Sequence, residues 1–353
     1  MLRGPVDAAQ EKRIEILYIG GSEGVEERLV TRAGLRFVGV SAGGVHGLTP
    51  WRAALNLIKL IRGWWEVYRF GRRERPAALF ATGGYASVPV ALAAWTLRVP
   101  ILVYLPDIEP GLAVRLIARL ATRIAVTVAD SCSFFSTRTV VVTGYPVRAE
   151  FREVDRVGAR VSLGLTSDEA VVLVLGGSRG ARSINQALSE DLEQLLQLTQ
   201  VIHVSGELDW AWVAERRDGL PASLRARYRA FRYLHEDMGA ALAAADLAVC
   251  RAGASTLGEL PFFGVPAVLV PYPHAWRYQR VNAEWLTERG AAEQVADERL
   301  REALLPTVRR LLSNREALTE MSDRMQALAR PDAAAHLASE LLTLAEQRSH
   351  RRQ

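Results

Sequence analysis

Short, continuous apolar runs alternate along this chain with longer stretches whose apolar positions recur every three or four residues, and glycine is frequent at the junctions. Runs of the first kind occupy residues 13–20, 36–40, 77–81, 100–105, 124–128 and 139–143, and then 171–175, 201–205, 230–234, 247–250 and 265–270. Apolarity without alternation is the mark of strands buried on both faces of a parallel sheet. Helical periodicity falls between them, at 25–33, 51–75, a segment ending at Trp95, 115–121, 183–198 and 239–245. Beyond Asn282 the chain reads as helical, and Pro331 sets off a last helix at 332–347. This order predicts an α/β protein of two Rossmann-like parallel-sheet domains facing a cleft. The polar stretch 150–169 reads as irregular linker, which gives domains at 1–152 and 168–330 and a terminal helix at 331–353.

Several strand exits carry glycine-rich loops: Ser41-Ala-Gly43-Gly44-Val-His46-Gly47, Thr82-Gly83-Gly84-Tyr85-Ala-Ser87 and Gly176-Gly-Ser178-Arg-Gly180-Ala181. Where such a loop opens a helix, unbonded N–H groups and the positive dipole end favour an anionic oxygen, so the third is a phosphate cradle in outline. It matches neither the dinucleotide fingerprint nor a P-loop. The stretch 246–282 repeats the plan: strand, Arg251-Ala-Gly253-Ala254-Ser255-Thr256, a helix beginning near Thr256, and a second buried strand running into Pro271 and Pro273. A phosphate fits the N–H groups of residues 252–255, and Glu259 is placed to accept two ribose hydroxyls. Thr256-x-x-Glu259 also fits a capping box, in which Glu259 serves only the backbone. Asp107 and Glu109 follow strand 100–105, where open α/β sheets place ligands. They also offer two ligands to a metal, although Asp-x-Glu without a further clustered acid or histidine is weak evidence for one. His46 is either a base or a solvated loop residue.

Composition narrows the partners. A chain of 353 residues that is 49% hydrophobic can bury two cores. No apolar run approaches the roughly 20 residues of a membrane span, and the start is too polar for a secretory signal, so a cytoplasmic location is expected. Cys132 and Cys250 stand alone in different halves; both are expected reduced, Cys250 buried. The net charge is +5, and all but Lys12 and Lys59 of the 44 basic residues are arginine. Arginine suits anionic substrates or an anionic membrane surface. Their dispersal among apolar helices, with no recognition module, argues against nucleic acid. The helix at 51–75 sets Leu57, Leu60, Ile61, Trp64, Trp65 and Tyr68 at helical spacing beside Arg52, Lys59, Arg62, Arg69, Arg72, Arg73 and Arg75. That stripe either packs on the sheet or turns an aromatic toward lipid.

The ordered set Gly83-Gly84-Tyr85-x-Ser87, Gly144-x-Pro-Val-Arg148, Gly176-Gly-Ser-x-Gly-Ala-Arg182 and Arg251-x-Gly-Ala-x-Thr-x-x-Glu259 continues with Gly264-x-Pro266, Pro271 and residues 279–282. It resembles the MurG family of glycosyltransferases over nearly the whole chain. The resemblance implies a GT-B fold and an inverting transfer of N-acetylglucosamine from UDP-GlcNAc to undecaprenyl-pyrophosphoryl-MurNAc-pentapeptide. It further implies no cofactor, no metal, and a peripheral place on the inner face of the cell membrane. By motif, Glu259 would bind the ribose diol, Ala254, Ser255 and Thr256 the diphosphate and sugar region, and Ser178 the diphosphate loop. Gln279 would touch the sugar hydroxyls, Leu234 or its neighbour the uracil through backbone atoms, and Arg148 the donor from the first domain. Gly43, Gly44, Gly83, Gly84 and Tyr85 are assigned to the acceptor, and Asp107, Glu109 and His46 are the candidate bases.

The sequence departs from the family in three places. No strand and Gly-Gly-Thr-Gly-Gly-His loop precede Ile14, so the first domain is expected to open part-way through its fold, without that loop's acceptor contacts and histidine. Tyr104-Leu-Pro-Asp107 replaces a His-Glu-Gln-Asn, and Tyr278 stands where a second glutamine is usual. Two further readings stay open: a related GT-B enzyme with another lipid-linked acceptor, and a UDP-sugar-binding chain without turnover.

Overall fold

The computed structural model describes residues 14–21, 26–40, 50–135, 139–166, 168–177, 180–274 and 277–350, the side chains of 26 and 50–57 aside. Gly43, Gly44, His46 and Ser178 lie outside the described residues. The chain forms two units, Met1–Arg148 with Asp332–Gln353, and Ala149–Pro331.

In the first unit β1 (Leu17–Gly21) and β2 (Arg36–Val40) form a parallel pair. The strands β3 (Leu79–Ala81), β4 (Ile101–Leu105), β5 (Arg123–Val126) and β6 (Val140–Val142) form a separate parallel sheet in sequential order. Side chains of β4 alternate between two cores. Ile101, Val103 and Leu105 meet Ile124, Val126 and the helices Ser87–Thr96 and Leu112–Ala118, whereas Leu102 and Tyr104 meet Ala125 and, from the helix Ala333–His350, Leu337 and Leu344. That terminal helix is anchored further by an Arg123–Glu340 ion pair and by Arg348, which donates to the carbonyls of Pro76 and Leu97.

The helix Pro50–Glu74 divides its apolar positions between two faces. Trp64 packs against the cluster of Val40, Val67, Val90 and Ala93 and donates to Thr96 Oγ1 at 3.4 Å. Gly71 lets the helix Ser87–Thr96 approach, since a Cβ there would meet Leu97 Cδ1 at 2.7 Å. Ile58, Ile61 and Trp65, three and four residues apart, point outward and are each more than half exposed.

The second unit carries one six-stranded parallel sheet, in the order β12-β11-β10-β7-β8-β9. Its strands are β7 (Val171–Leu175), β8 (Gln200–Val204), β9 (Tyr228–Phe231), β10 (Leu247–Cys250), β11 (Ala267–Leu269) and β12 (Ala292–Gln294). The order reverses between β7 and β10, as in a doubly wound sheet, and a ligand crevice opens at the carboxyl ends of those two strands. Three sequence expectations change here. β12 interrupts the region read as wholly helical; it is a three-residue edge strand, too short to show a period. β9 begins at Tyr228, earlier than the apolar run suggested. The supposed linker is structured: after a 3₁₀ turn at Ala149–Glu153, Asp155 caps the helix Arg156–Ser162 by accepting from the Gly158 N–H at 2.8 Å. Arg160 of that helix is buried, donating to the carbonyls of Ala244 and Glu169 and to Asp246 Oδ2, which makes polar residues part of the core.

Candidate functional site

Three glycines shape the turn that follows β7. A Cβ on Gly176 would lie 2.1 Å from the Ala181 nitrogen, and one on Gly180 would lie 2.2 Å from the Ser205 carbonyl oxygen. Gly177 and Gly180 have φ of +79° and +80°, where side chains other than hydrogen are disfavoured. The turn therefore brings the start of the helix Arg182–Leu198 close over the sheet, with its first N–H groups at the carboxyl end of β7.

The exit of β10 differs from the sequence reading. Residues Ala254–Leu257 form a 3₁₀ turn, and the α-helix is only the five residues Glu259–Phe263. The N–H groups of Thr256 and Gly258 bond the carbonyls of Gly253 and Ser255, so they are used inside the turn. The alternative of a capping box finds no support, because the Thr256 hydroxyl donates to the Gly253 carbonyl at 2.5 Å, its N–H bonds the same carbonyl, and no side chain caps the helix that follows. Glu259 is instead its first residue and lines the cleft.

That cleft has a volume of about 780 Å³ and lies wholly within the second unit. Ser255, Thr256, Glu259 and Gln279 meet there beside Gly176, Gly177 and Gly180. Gln279 Oε1 accepts from the Tyr272 N–H at 2.9 Å, which ties the loop after β11 to the helix Tyr278–Glu288. Leu234, at 3% exposure, and Ala254 are not among its lining residues, and Arg148 belongs to the first unit. In that unit Glu109 is buried and paired with Arg115 at 3.1 Å, whereas Asp107 is half-buried just past β4. Gly83 and Gly84 adopt φ of +100° and +82° beside the exposed Tyr85.

The cleft wall also holds residues that no site reading had picked out. Arg251 donates to Asp297 Oδ1 at 2.5 Å and to Ser183 Oγ at 2.8 Å, and its guanidinium carbon lies 5.2 Å from the centroid of the Tyr272 ring. Arg182 and Asp209 pair at 2.9 Å. Both arginines stand in the glycine motifs; what sequence could not give was their carboxylate partners, which come from distant loops. Burial would raise the Asp209 carboxyl, but hydrogen bonds from Asn185, Trp212 and Arg182 outweigh it and hold the group below its ordinary value. Burial, reinforced by the Glu259 charge, pushes the Cys250 thiol up to about 12, so it stays protonated. Among the described residues no cluster of three or more acids, histidines or cysteines could hold a metal ion.

Beneath this wall His203 is fully enclosed, and burial pushes its imidazole down to about 3. An unfolded chain would take up a proton near pH 6.5, so falling pH favours unfolding. The stability associated with neutral His203 is complete above about pH 6.5 and drains at up to about 1.4 kcal/mol per pH unit toward pH 3. Between pH 7.5 and pH 5 the loss is expected to be about 2 kcal/mol, and His203→Gln should remove that increment. Urea unfolding of both chains at the two pH values measures it; an unchanged pH dependence in the variant would refute it.

Residues 171–337 match the glycosyltransferase family 28 C-terminal domain, and residues 7–126 match the family 28 N-terminal domain. A UDP-N-acetylglucosamine–N-acetylmuramyl-(pentapeptide) pyrophosphoryl-undecaprenol N-acetylglucosamine transferase of Roseiflexus sp. (strain RS-1) is 44% identical, over 95% of this chain and 85% of the relative. A protein of the same name from Desulfitobacterium hafniense (strain Y51) is 38% identical, over 92% and 89%. The crystal structure of Acinetobacter baumannii MurG superposes with a TM-score of 0.76 at 24% identity, covering 96% of this chain and 94% of that one. The two parallel-sheet units are thus those of a GT-B protein, and the chain belongs to glycosyltransferase family 28 and, within it, to the MurG family.

Proposed function

We propose that the chain transfers N-acetylglucosamine from UDP-GlcNAc to undecaprenyl-pyrophosphoryl-MurNAc-pentapeptide, the activity its relatives are named for. The observation that supports this furthest is the gathering of Ser255, Thr256, Glu259 and Gln279 in one cleft with the Gly176–Ala181 turn. In this reading the Glu259 carboxylate accepts the ribose hydroxyls, and the diphosphate meets the first turn of the helix Arg182–Leu198. The helix dipole and Arg182 then stabilise the charge that develops on UDP as it departs. Attack on the sugar's anomeric carbon from the side opposite UDP inverts it, and a base takes the proton of the acceptor hydroxyl. Of the two acids after β4, Asp107 is assigned this role, because pairing with Arg115 makes Glu109 an anchor; His46, the third candidate, lies outside the described residues. Gly83, Gly84 and Tyr85 are assigned to the acceptor. Calorimetry with UDP-GlcNAc and transfer of labelled sugar to the lipid acceptor test the reading; a chain that binds the nucleotide sugar without transferring it would leave only the donor half standing.

The same proposal places the first unit on an anionic membrane surface at the inner face of the cell membrane. Among the described residues no helix is long and apolar enough to cross a membrane. Exposed apolar side chains gather on three helices of this unit, Ile58, Ile61 and Trp65 on Pro50–Glu74, Leu92 and Trp95 on Ser87–Thr96, and Leu112 and Leu116 on Leu112–Ala118. Arg62, Arg69, Arg72 and Arg73 stand exposed beside the first group. Apolar insertion and lipid charge then act together, so binding should weaken as salt rises. Ile61→Ser with Trp65→Ser is expected to weaken partitioning onto vesicles containing phosphatidylglycerol by about 2 kcal/mol. Flotation of parent and variant compares them, and equal flotation would move the membrane face elsewhere.

A further inference from the structure

Behind the cleft wall runs a chain of hydrogen bonds that the donor reading does not use. The Tyr228 hydroxyl on β9 lies 2.6 Å from His203 Nδ1 on β8, and His203 Nε2 lies 2.9 Å from Asn185 Oδ1. Asn185 Nδ2 donates to the Ser205 carbonyl and to Asp209 Oδ2, each at 2.9 Å. The directions follow from these partners. With its nitrogen facing two acceptors, Asn185 must accept through its oxygen, from a proton on His203 Nε2. His203 Nδ1 is then the acceptor for the Tyr228 hydroxyl. All four residues are buried, where a broken link would strand a polar group.

The chain ends at the cleft. Arg182 Nε donates to Asp209 Oδ1 at 2.9 Å; the arginine side chain is 67% exposed and the aspartate side chain 2%. An exposed ion pair ordinarily holds little, because both side chains must give up rotamer freedom. Here the carboxylate is already fixed from behind by Asn185 and Trp212. The guanidinium is held through Nε, which leaves its two Nη groups as a fork suited to phosphate oxygens. Arg182 also opens the helix whose N–H groups face the same cleft.

We infer that Asp209 is a positioning residue, which holds the Arg182 guanidinium against the diphosphate of the bound nucleotide and is itself held by the Tyr228–His203–Asn185 chain. The inference rests on the donor-site reading above. Asp209 acts through Arg182, so removing either one removes the same contact.

The test is a double-mutant cycle read by calorimetry, with UDP and phosphate-free uridine as probes and thermal unfolding of each variant followed alongside. Asp209→Asn and Arg182→Gln are each expected to raise the Kd for UDP about tenfold, the scale of one charged hydrogen bond. The double variant should lose about the same tenfold, and uridine less than about twofold. A roughly hundredfold loss in the double variant, or equal losses for UDP and uridine, would overturn the inference and leave the donor site standing. A parent chain that binds neither probe would remove the donor-site reading, and the inference with it. Arg182→Lys, at an exposed position, keeps the matter decidable if Asp209→Asn does not fold. Lysine retains the charge without Nε, so the same tenfold loss is expected, and parental affinity would count against positioning.

Discussion

Glu259→Ala is expected to weaken UDP binding by about 1–3 kcal/mol, roughly 5- to 150-fold, the cost of losing hydrogen bonds to a charged acceptor. The carboxylate lines the cleft as the first residue of a five-residue helix, and no side-chain cap on that helix depends on it. An effect on the ligand and an effect on the fold are therefore read separately. Calorimetry gives the affinity and thermal unfolding the stability. If the variant loses stability and binds UDP as the parent does, Glu259 is structural and the ribose assignment falls.

Gly180→Ala carries the larger penalty. The new Cβ would face a backbone oxygen at 2.2 Å, which cannot swing aside as a side chain would, and the residue would have to hold a φ of +80°. Overpacking and the left-handed conformation together are expected to cost roughly 3–6 kcal/mol, with UDP binding lost as the turn shifts. Gly177→Ala is the control. Its φ of +79° is nearly the same, yet a Cβ there meets nothing within 4 Å, so only the conformational cost of about 1–2 kcal/mol applies. Urea unfolding of the two variants separates the terms; equal destabilisation would show that the Ser205 contact does not govern the turn.

The strands and glycine turns were legible because a parallel sheet covered on both faces needs unbroken apolar runs, and because turns such as Gly176–Ala181 tolerate few other residues. The family signature followed from the order of those turns. What stayed hidden depends on contacts between distant residues. Nothing local to Asp209 shows that Asn185, Trp212 and Arg182 converge on it, nor that His203 is enclosed. The helix Arg156–Ser162 looked like linker because its arginines find their acceptors at residues 244–246. Helical periodicity at residues 57–68 was visible, but which aromatic turns inward was decided by Gly71 and by the neighbouring helix, so Trp64 is packed and Trp65 exposed. At β10 the sequence suggested a helix start where the chain instead makes a 3₁₀ turn, because the Thr256 hydroxyl and N–H both close on Gly253.

The terminal helix also sets an order of events during synthesis. Its Leu337 and Leu344 cover Leu102, Tyr104 and Ala125, so one face of the four-stranded sheet is completed by residues that leave the ribosome long after its strands. Some 200 residues separate the end of β6 at Val142 from the end of this helix at His350, which at 5–20 residues per second is a delay of about 10–40 s. The second unit emerges whole within that interval and can fold while the first still presents an uncovered apolar face to the cell's chaperones.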